Sequence, residues 1–355
     1  MNLGMFMMPL HPPEKDRTQT FEEDAECIIL ADELGFSEAW IGQHHTAGWE
    51  PIPSNDVFIA NMLPQTKQIR LGTGVTIITQ HHPANVAVRL AYLDYLAKGR
   101  LNVGFGQGGV PTDWGLFDLP DPRTQGLMTL EAMEIVTKIW QTDGPFEFNG
   151  DYWTIKLSEK IPELGLGEVL KPYQKPHPPI AMSIIKEESM AAKTAGQRGF
   201  IPISINLAPP HKIKRQWETY SEGVTESGRQ PDRSQWRISR SIFVGDSDAE
   251  AREHALNGAF AGSLIYLRGM LTLGGMLDLL KEDPGMLNEA IDAEYIIDKI
   301  AIVGSVDTVT QRLQDLYDTT GGFGTLLMID HDWDDKAKMR RSMELLAKEV
   351  VPQLP

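Results

Sequence analysis

One cysteine, Cys27, is all the thiol the 355 residues contain, so neither an intrachain disulfide nor a cysteine metal cluster can form. The chain is also short of positive charge: 33 Lys and Arg against 49 Asp and Glu leave −16 with neutral histidines. It has no Lys/Arg run able to neutralise successive phosphates, which argues against nucleic acid or an anionic membrane as partner and leaves room only for a local anion site. Long apolar runs are missing too, and no window approaches the ~20 apolar residues of a membrane helix. Residues 1–9 are apolar but carry no basic leader, and Pro12-Pro13 comes too soon for a signal-peptide core, so the segment reads as a buried strand. Together these features point to a reducing, cytoplasmic setting. The rest is ordinary for a globular protein, with 41% hydrophobic and 23% charged residues and ample length for a large core.

Short β-rich runs alternate with stretches of helical period, the pattern of a parallel α/β fold. Eight strands are expected, at 3–8, 38–42, 69–76, 101–105, 179–184, 201–205, 237–244 and 324–329. Helices are expected at about 20–35, 54–67, 84–98, 125–142, 188–198, 211–228, 248–260, 305–319 and 335–350. With no break where a second core begins, the pattern predicts one domain over 1–355, a (β/α)8 TIM barrel, with an open doubly wound sheet as the alternative. Two stretches fall outside the repeat. The first, about 144–178, holds alternating residues around Asn149-Gly150, which predicts a hairpin with a two-residue turn. The second, about 261–300, is rich in Gly, Leu and Met and reads as a helical insertion able to cover a site.

In such barrels the active site lies at the C-terminal ends of the strands. Six of the nine histidines, His11, His44, His45, His81, His82 and His331, follow expected strands, which marks an enzyme. Two readings compete for them. Histidines near Asp332 can bind a divalent metal, although adjacent histidines on extended chain point in opposite directions and share an ion poorly. The other reading is proton transfer and hydrogen bonding around an organic cofactor. A second element is Lys186-Glu187-Glu188-Ser189-Met190, which opens an Ala-rich helix whose free amides suit a phosphate, though Ser and Glu also start many helices with no ligand. Glycines 104, 106, 108 and 109 lack the dinucleotide spacing but permit close backbone approach to a flat ligand.

Several segments then resemble one family. They are Gly4-Met5-Phe6, Leu34-Gly35-Phe36, Ala39-Trp40-Ile41-Gly42-Gln43-His44-His45, Arg70-Leu71-Gly72-Thr73-Gly74-Val75, His82-Pro83-Ala84, Leu93-Asp94-Tyr95-Leu96, Gly104-Phe105-Gly106 and Val303-Gly304-Ser305. The chain resembles the luciferase-like flavin monooxygenases over essentially its whole length, and most of all those acting on limonene and diketocamphane. The resemblance implies a TIM barrel that takes reduced FMN from a separate flavin reductase. The flavin forms a peroxide with O2 and oxidises an apolar carbonyl or terpene-like substrate. It implies that His44 stands beside the flavin, that Val75-Thr76 form a bulge against its ring, and that Gln107, Ser183, Lys186, Glu188, Ser189 and Met190 line the cofactor site.

The family's Glu-His-His segment falls on Gln43-His44-His45, so a carboxylate able to orient the imidazole is missing at position 43. An arginine that follows the fourth strand in luciferase is likewise replaced by Gln107, which shifts phosphate binding towards Ser189 and its helix. Exclusion of water calls for an apolar substrate pocket, for which Phe6, Met8, His45, Trp49, Trp114, His331 and Trp333 are the candidates. Two alternatives stay open: an FMN- or deazaflavin-dependent oxidoreductase without oxygen insertion, and an inactive flavin-binding subunit, against which the retained His44 speaks. Helix 54–67 (Val57, Phe58, Ile59, Met62, Leu63) and helix 84–98 (Val86, Val88, Leu90, Leu93, Leu96) carry more apolar positions than one buried stripe needs, which predicts a homodimer.

Overall fold

The computed structural model describes residues Met1–Pro355. Its strands are β1 (Asn2–Met7), β2 (Glu38–Ile41), β3 (Arg70–Ile77), β4 (Leu101–Gly106), β5 (Phe146–Asn149), β6 (Thr154–Leu157), β7 (Ile180–Ile184), β8 (Ile201–Ser204), β9 (Arg237–Val244), β10 (Ile302–Gly304) and β11 (Thr325–Ile329). The parallel neighbours run β9-β11-β1-β2-β3-β4-β7-β8, and β8 pairs back to β9, so the sheet closes into an eight-stranded barrel. These eight staves are the eight expected strands, displaced by one residue at most at either end. Both faces of each stave are covered, which is why the strands read as near-continuous apolar runs such as Leu101 to Phe105.

The surrounding helices are α1 (Arg17–Glu33), α2 (Asn55–Met62), α3 (Pro83–Ala97), α4 (Pro111–Leu116), α5 (Pro122–Gln141), α6 (Met190–Arg198), α7 (Pro210–Glu226), α8 (Asp248–Asn257), α9 (Ala259–Leu273), α10 (Ala293–Lys299), α11 (Val306–Thr320) and α12 (Lys336–Leu345). Local chemistry sets their ends. Asp16, Ser189 and Ser305 accept from amides of the first turn, and Gly199 and Gly321 end α6 and α11 in the left-handed conformation. The helix expected at 54–67 is shorter, because Pro64 has no N–H to continue the ladder and the chain tightens into a 3-10 turn over Leu63–Gln65. The helix expected at 248–260 breaks at Gly258, where the extended backbone separates α8 from α9.

The 144–178 segment contains the expected hairpin, but its turn spans residues 150–153, four rather than two. The Glu131 carboxylate on α5 accepts from the amides of Asp151 (2.8 Å), Tyr152 (3.0 Å) and Trp153 (2.9 Å), so a tertiary acceptor holds open the turn that Asn149-Gly150 alone would close tightly. The 261–300 segment is helical as expected, with α9, two 3-10 turns and α10, and it leads into β10. That strand, too short for a periodic signal, pairs with the free half of β9 outside the ring.

The two ends of the barrel differ in character. At the N-terminal end Arg237 donates to both carboxylate oxygens of Glu38 (3.0 and 3.1 Å), and Trp40 Nε1 donates to Glu38 as well (3.0 Å). This buried network closes the floor. At the C-terminal end the loops after β11, β1, β2, β3, β4 and β7 stand side by side in that order. Along this rim the structure therefore places His331 and Trp333, then Met8, then His44, His45 and Trp49, then the end of β3, then Gln107, then Ser183 to Met190.

On the helical shell, Ile59, Met62, Leu63, Val86, Leu90 and Leu93 turn into the protein's own core. What stays exposed is Val57 on α2 with Val88 and Leu96 on α3, joined by Tyr92 and Tyr95.

Candidate active site

The loop leaving β2 is folded back on itself, with the His44 amide donating to Ile52 O (3.0 Å). This brings the His44 imidazole between two carboxylates: Nε2 lies 3.4 Å from Glu50 Oε2, and Nδ1 lies 3.6 Å from Asp113 Oδ2. Both carboxyl groups are buried, but they are held very differently. Asp113 accepts from Thr46 N (2.8 Å), Thr46 Oγ1 (2.5 Å) and His45 N (3.3 Å). Glu50 accepts from one donor, the Tyr266 hydroxyl of α9 (2.9 Å), and the Tyr266 ring stacks on Trp49 at 5.4 Å.

These surroundings set the charges. Burial alone would pull the His44 imidazole down, but Glu50 and Asp113 outweigh it and hold its pKa above the usual histidine range. Burial also works against an ionised Asp113, yet the neighbouring His44 imidazole and the hydrogen bonds from Thr46 and the His45 amide hold it down at about 2, so it is a fixed negative charge. Glu50, with its single donor, is pushed up by burial against the pull of His44 and Tyr266. The carboxylate missing at position 43 is thus replaced by Glu50, further along the same loop, and by Asp113 on α4. Gln43 itself turns away, its Oε1 accepting from Asn55 N (3.4 Å).

His45 points elsewhere, to Gln80 Oε1 (3.0 Å) and edge-on to Phe117 (4.7 Å), as opposed neighbours on extended chain should. Beside them the β3–β4 register shifts between Thr73 and Thr76, the bulge expected at Val75-Thr76. Asn55 Nδ2 bridges Ile41 O and Val75 O (both 3.1 Å), and Thr73 Oγ1 exchanges hydrogen bonds with the Gly104 backbone (2.9 and 3.0 Å). The close approach explains two glycines. A Cβ at Gly104 would stand 2.3 Å from Thr73 O, and one at Gly106 would stand 2.6 Å from Val75 Cγ2.

Next on the rim, the Thr79 hydroxyl donates to Gln107 O (3.2 Å). At the end of β7, Ser189 caps α6 by accepting from Ala192 N (3.1 Å), which leaves the Met190 and Ala191 amides as first-turn donors with no helical carbonyl. Ser183 is half-buried in β7, Lys186 and the Met190 side chain are exposed, and Glu188 pairs with Arg215 (3.1 Å).

On the other flank Phe6, His331 and Trp333 are buried and Met8, Trp49 and Trp114 half-buried. His331 is enclosed by Phe260, with Nδ1 on Ser263 Oγ (2.6 Å) and Nε2 on Ser241 Oγ (2.9 Å), and burial pushes it down to about 3, so it is neutral. His11 lies behind the rim between Asp332 (2.6 Å) and Asp24 (3.0 Å). Burial lowers its pKa but the two carboxylates outweigh it and raise the imidazole to about 9. His11, Glu23 and Asp332 gather closely enough for a metal ion, and the Lys15 ammonium takes the cation's place among them, 2.5 Å from Glu23 and 2.7 Å from Asp332.

Glu50, Asp113 and Tyr266 are the site residues that sequence reasoning missed. The usable signal was adjacency, since Trp49 and Trp114 were singled out and each has one of the two carboxylates as its neighbour in the chain.

A family model for luciferase-like monooxygenases matches residues 1–322. The 3,6-diketocamphane 1,6-monooxygenase of Pseudomonas putida is 31% identical over 373 residues, covering 100% of this chain and 98% of its own. The 4-hydroxyprotoasukamycin monooxygenase of Streptomyces nodosus subsp. asukaensis is 33% identical, covering 99% and 92%. Among solved structures, the oxygenating constituent of 3,6-diketocamphane monooxygenase in complex with FMN, a type II Baeyer–Villiger enzyme, superimposes with a TM-score of 0.93 at 31% identity over 100% of this chain and 99% of that one. With its closed barrel, its bulged third strand and its histidine at the second strand's end, the chain belongs to the luciferase-like monooxygenases.

Proposed function

We propose that the chain, acting as one domain, is the oxygenase component of a two-component flavin monooxygenase in a reducing cytoplasm. It takes reduced FMN from a separate reductase and uses O2 to oxidise a small apolar ketone or terpene-like molecule. The observation that carries this reading is His44, held at the rim between Asp113 and Glu50, one stave away from the bulged end of β3. The resemblance to an FMN-bound oxygenating constituent supports the cofactor and the division of labour.

The residues present fit a flavin. Thr76 Oγ1, Gln43 Nε2 and Trp114 Nε1 are buried without hydrogen-bond partners, and polar atoms left so at a rim suit the heteroatom edge of a flat polar ring. The two free amides of α6, with the positive end of its dipole, suit a phosphate. Bound reduced FMN would supply the oxygen chemistry as a peroxyflavin. The chain supplies the rest: the bulge and the Gly104 to Gly106 backbone would hold the ring, and Phe6, Met8, Trp49, Trp114 and Trp333 would exclude water around the substrate. His44 donates a hydrogen bond to the oxygen on which negative charge develops. Val57, Val88, Tyr92, Tyr95 and Leu96 form the face on which a second copy packs, giving a homodimer.

Anaerobic titration of the purified protein with photoreduced FMN and with a reduced deazaflavin tests the reading. Selective, saturable binding of reduced FMN is expected. Preference for the deazaflavin would replace an oxygenase by a hydride-transfer enzyme.

A further inference from the structure

Two carboxylates flank one imidazole, and their surroundings assign them different work. Asp113 has three donors on its oxygens and stays ionised, so it can hold the ring but cannot carry a proton. It faces Nδ1, the ring nitrogen that is buried and makes no hydrogen bond. Glu50 faces Nε2 across 3.4 Å with Oε2, while Oε1 is tied to Tyr266. A buried carboxyl with a single neutral donor is the one that accepts a proton readily. The stack of Tyr266 on Trp49, next to Glu50 in the chain, limits how far Glu50 can swing.

We propose that Glu50 is the proton partner of His44: it returns a proton to Nε2 after each donation, while Asp113 orients the ring and Tyr266 keeps Glu50 within reach. This rests on the proposed role of His44 and deepens it. In the step, the Nε2–H bond breaks as the proton moves to the reacting oxygen, leaving neutral imidazole. The Glu50 carboxylate then takes up a proton from solvent, and the new Oε2–H bond breaks as that proton passes to Nε2, which restores the imidazolium and the carboxylate. No electrons change hands. Glu50 is a positioning and proton-holding residue that acts through His44, and the insertion that supplies α9 becomes part of the acid–base machinery. The charged and titratable groups facing the imidazole are Glu50 on its own loop and Asp113 on α4, with Tyr266 on α9 behind Glu50.

The test is an NMR titration of the His44 ring protons in the protein as purified, without flavin, so that its outcome is separate from whether the protein proves to be an FMN oxygenase. The wild-type signal should show two inflections, its own and that of a neighbouring carboxyl. In Glu50→Gln the second inflection should vanish and the His44 midpoint should fall by about one unit, a tenfold change in acidity. In the isosteric Tyr266→Phe variant, Glu50 loses a donor to its carboxylate, so the neighbour's inflection should move to higher pH. In Asp113→Asn both inflections should persist. Turnover of the loaded enzyme should follow, with the corresponding limb of the pH profile lost in Glu50→Gln and kept in Asp113→Asn. Unchanged His44 titration in both Glu50→Gln and Tyr266→Phe, or loss of the second inflection in Asp113→Asn, would overturn the proposal.

Discussion

The proposed acid–base group, His44, is one side chain whose properties come from its neighbours. His44 is half-buried, and a buried imidazole with no charged neighbour is neutral at pH 7, as His331 is with only two serine hydroxyls around it. Glu50 and Asp113 work the other way on His44 and raise its pKa. His44→Ala should therefore keep the fold and slow turnover by about two to four orders of magnitude, the range for a positioned acid–base group. Steady-state turnover with reduced FMN and a good substrate measures this, and a loss below threefold would contradict the assignment. His44 was legible in the sequence because it follows a strand within a matched motif. Its carboxylate partners were not, because Glu50 reaches it only through a loop that folds back onto Ile52, and Asp113 sits 68 positions from His45, whose amide it accepts. Contacts between loops leave no periodic trace in a sequence.

Among the elements, α6 is the one whose terminus the flavin reading uses. Ser189 already caps the helix, and aspartate caps as well as serine, so Ser189→Asp should preserve α6 while placing a negative charge where a phosphate would sit. FMN binding should weaken strongly and riboflavin binding barely change in fluorescence titrations. Equal losses would mean the helix itself was damaged, and no loss would place the phosphate elsewhere. The staves were legible to within a residue because a strand covered on both faces is a short apolar run bounded by turn residues. The turn at 150–153 was not, since the donors it presents are held by Glu131, about twenty residues earlier on another element. Nor was β10, which exists because β9 is longer than its barrel neighbours need and leaves an edge to pair.

At the scale of the molecule, buried charge should make stability depend on pH. His11 has a folded pKa of about 9 against an ordinary 6.5, so the folded state binds the extra proton. The stabilisation is complete below about 6.5 and is lost as pH rises through 9. The thermal midpoint should fall between pH 7 and 9. His11→Asn should be less stable at pH 6.5 yet show a flatter slope, and equal slopes would exclude His11 as the source. Assembly is tested by sedimentation equilibrium at micromolar concentration, where twice the chain mass is expected and Val88→Glu with Tyr92→Glu should restore the single-chain mass. A single-chain mass for the unaltered protein would instead leave the α2–α3 face without a partner. The central claim, that this barrel holds reduced FMN for reaction with oxygen, is met most directly by stopped-flow absorbance. The protein with reduced FMN bound is mixed with aerated buffer. The account predicts a transient absorbing at shorter wavelength than oxidised flavin and outlasting the autoxidation of free reduced FMN. Direct appearance of oxidised flavin at the free-flavin rate would contradict it.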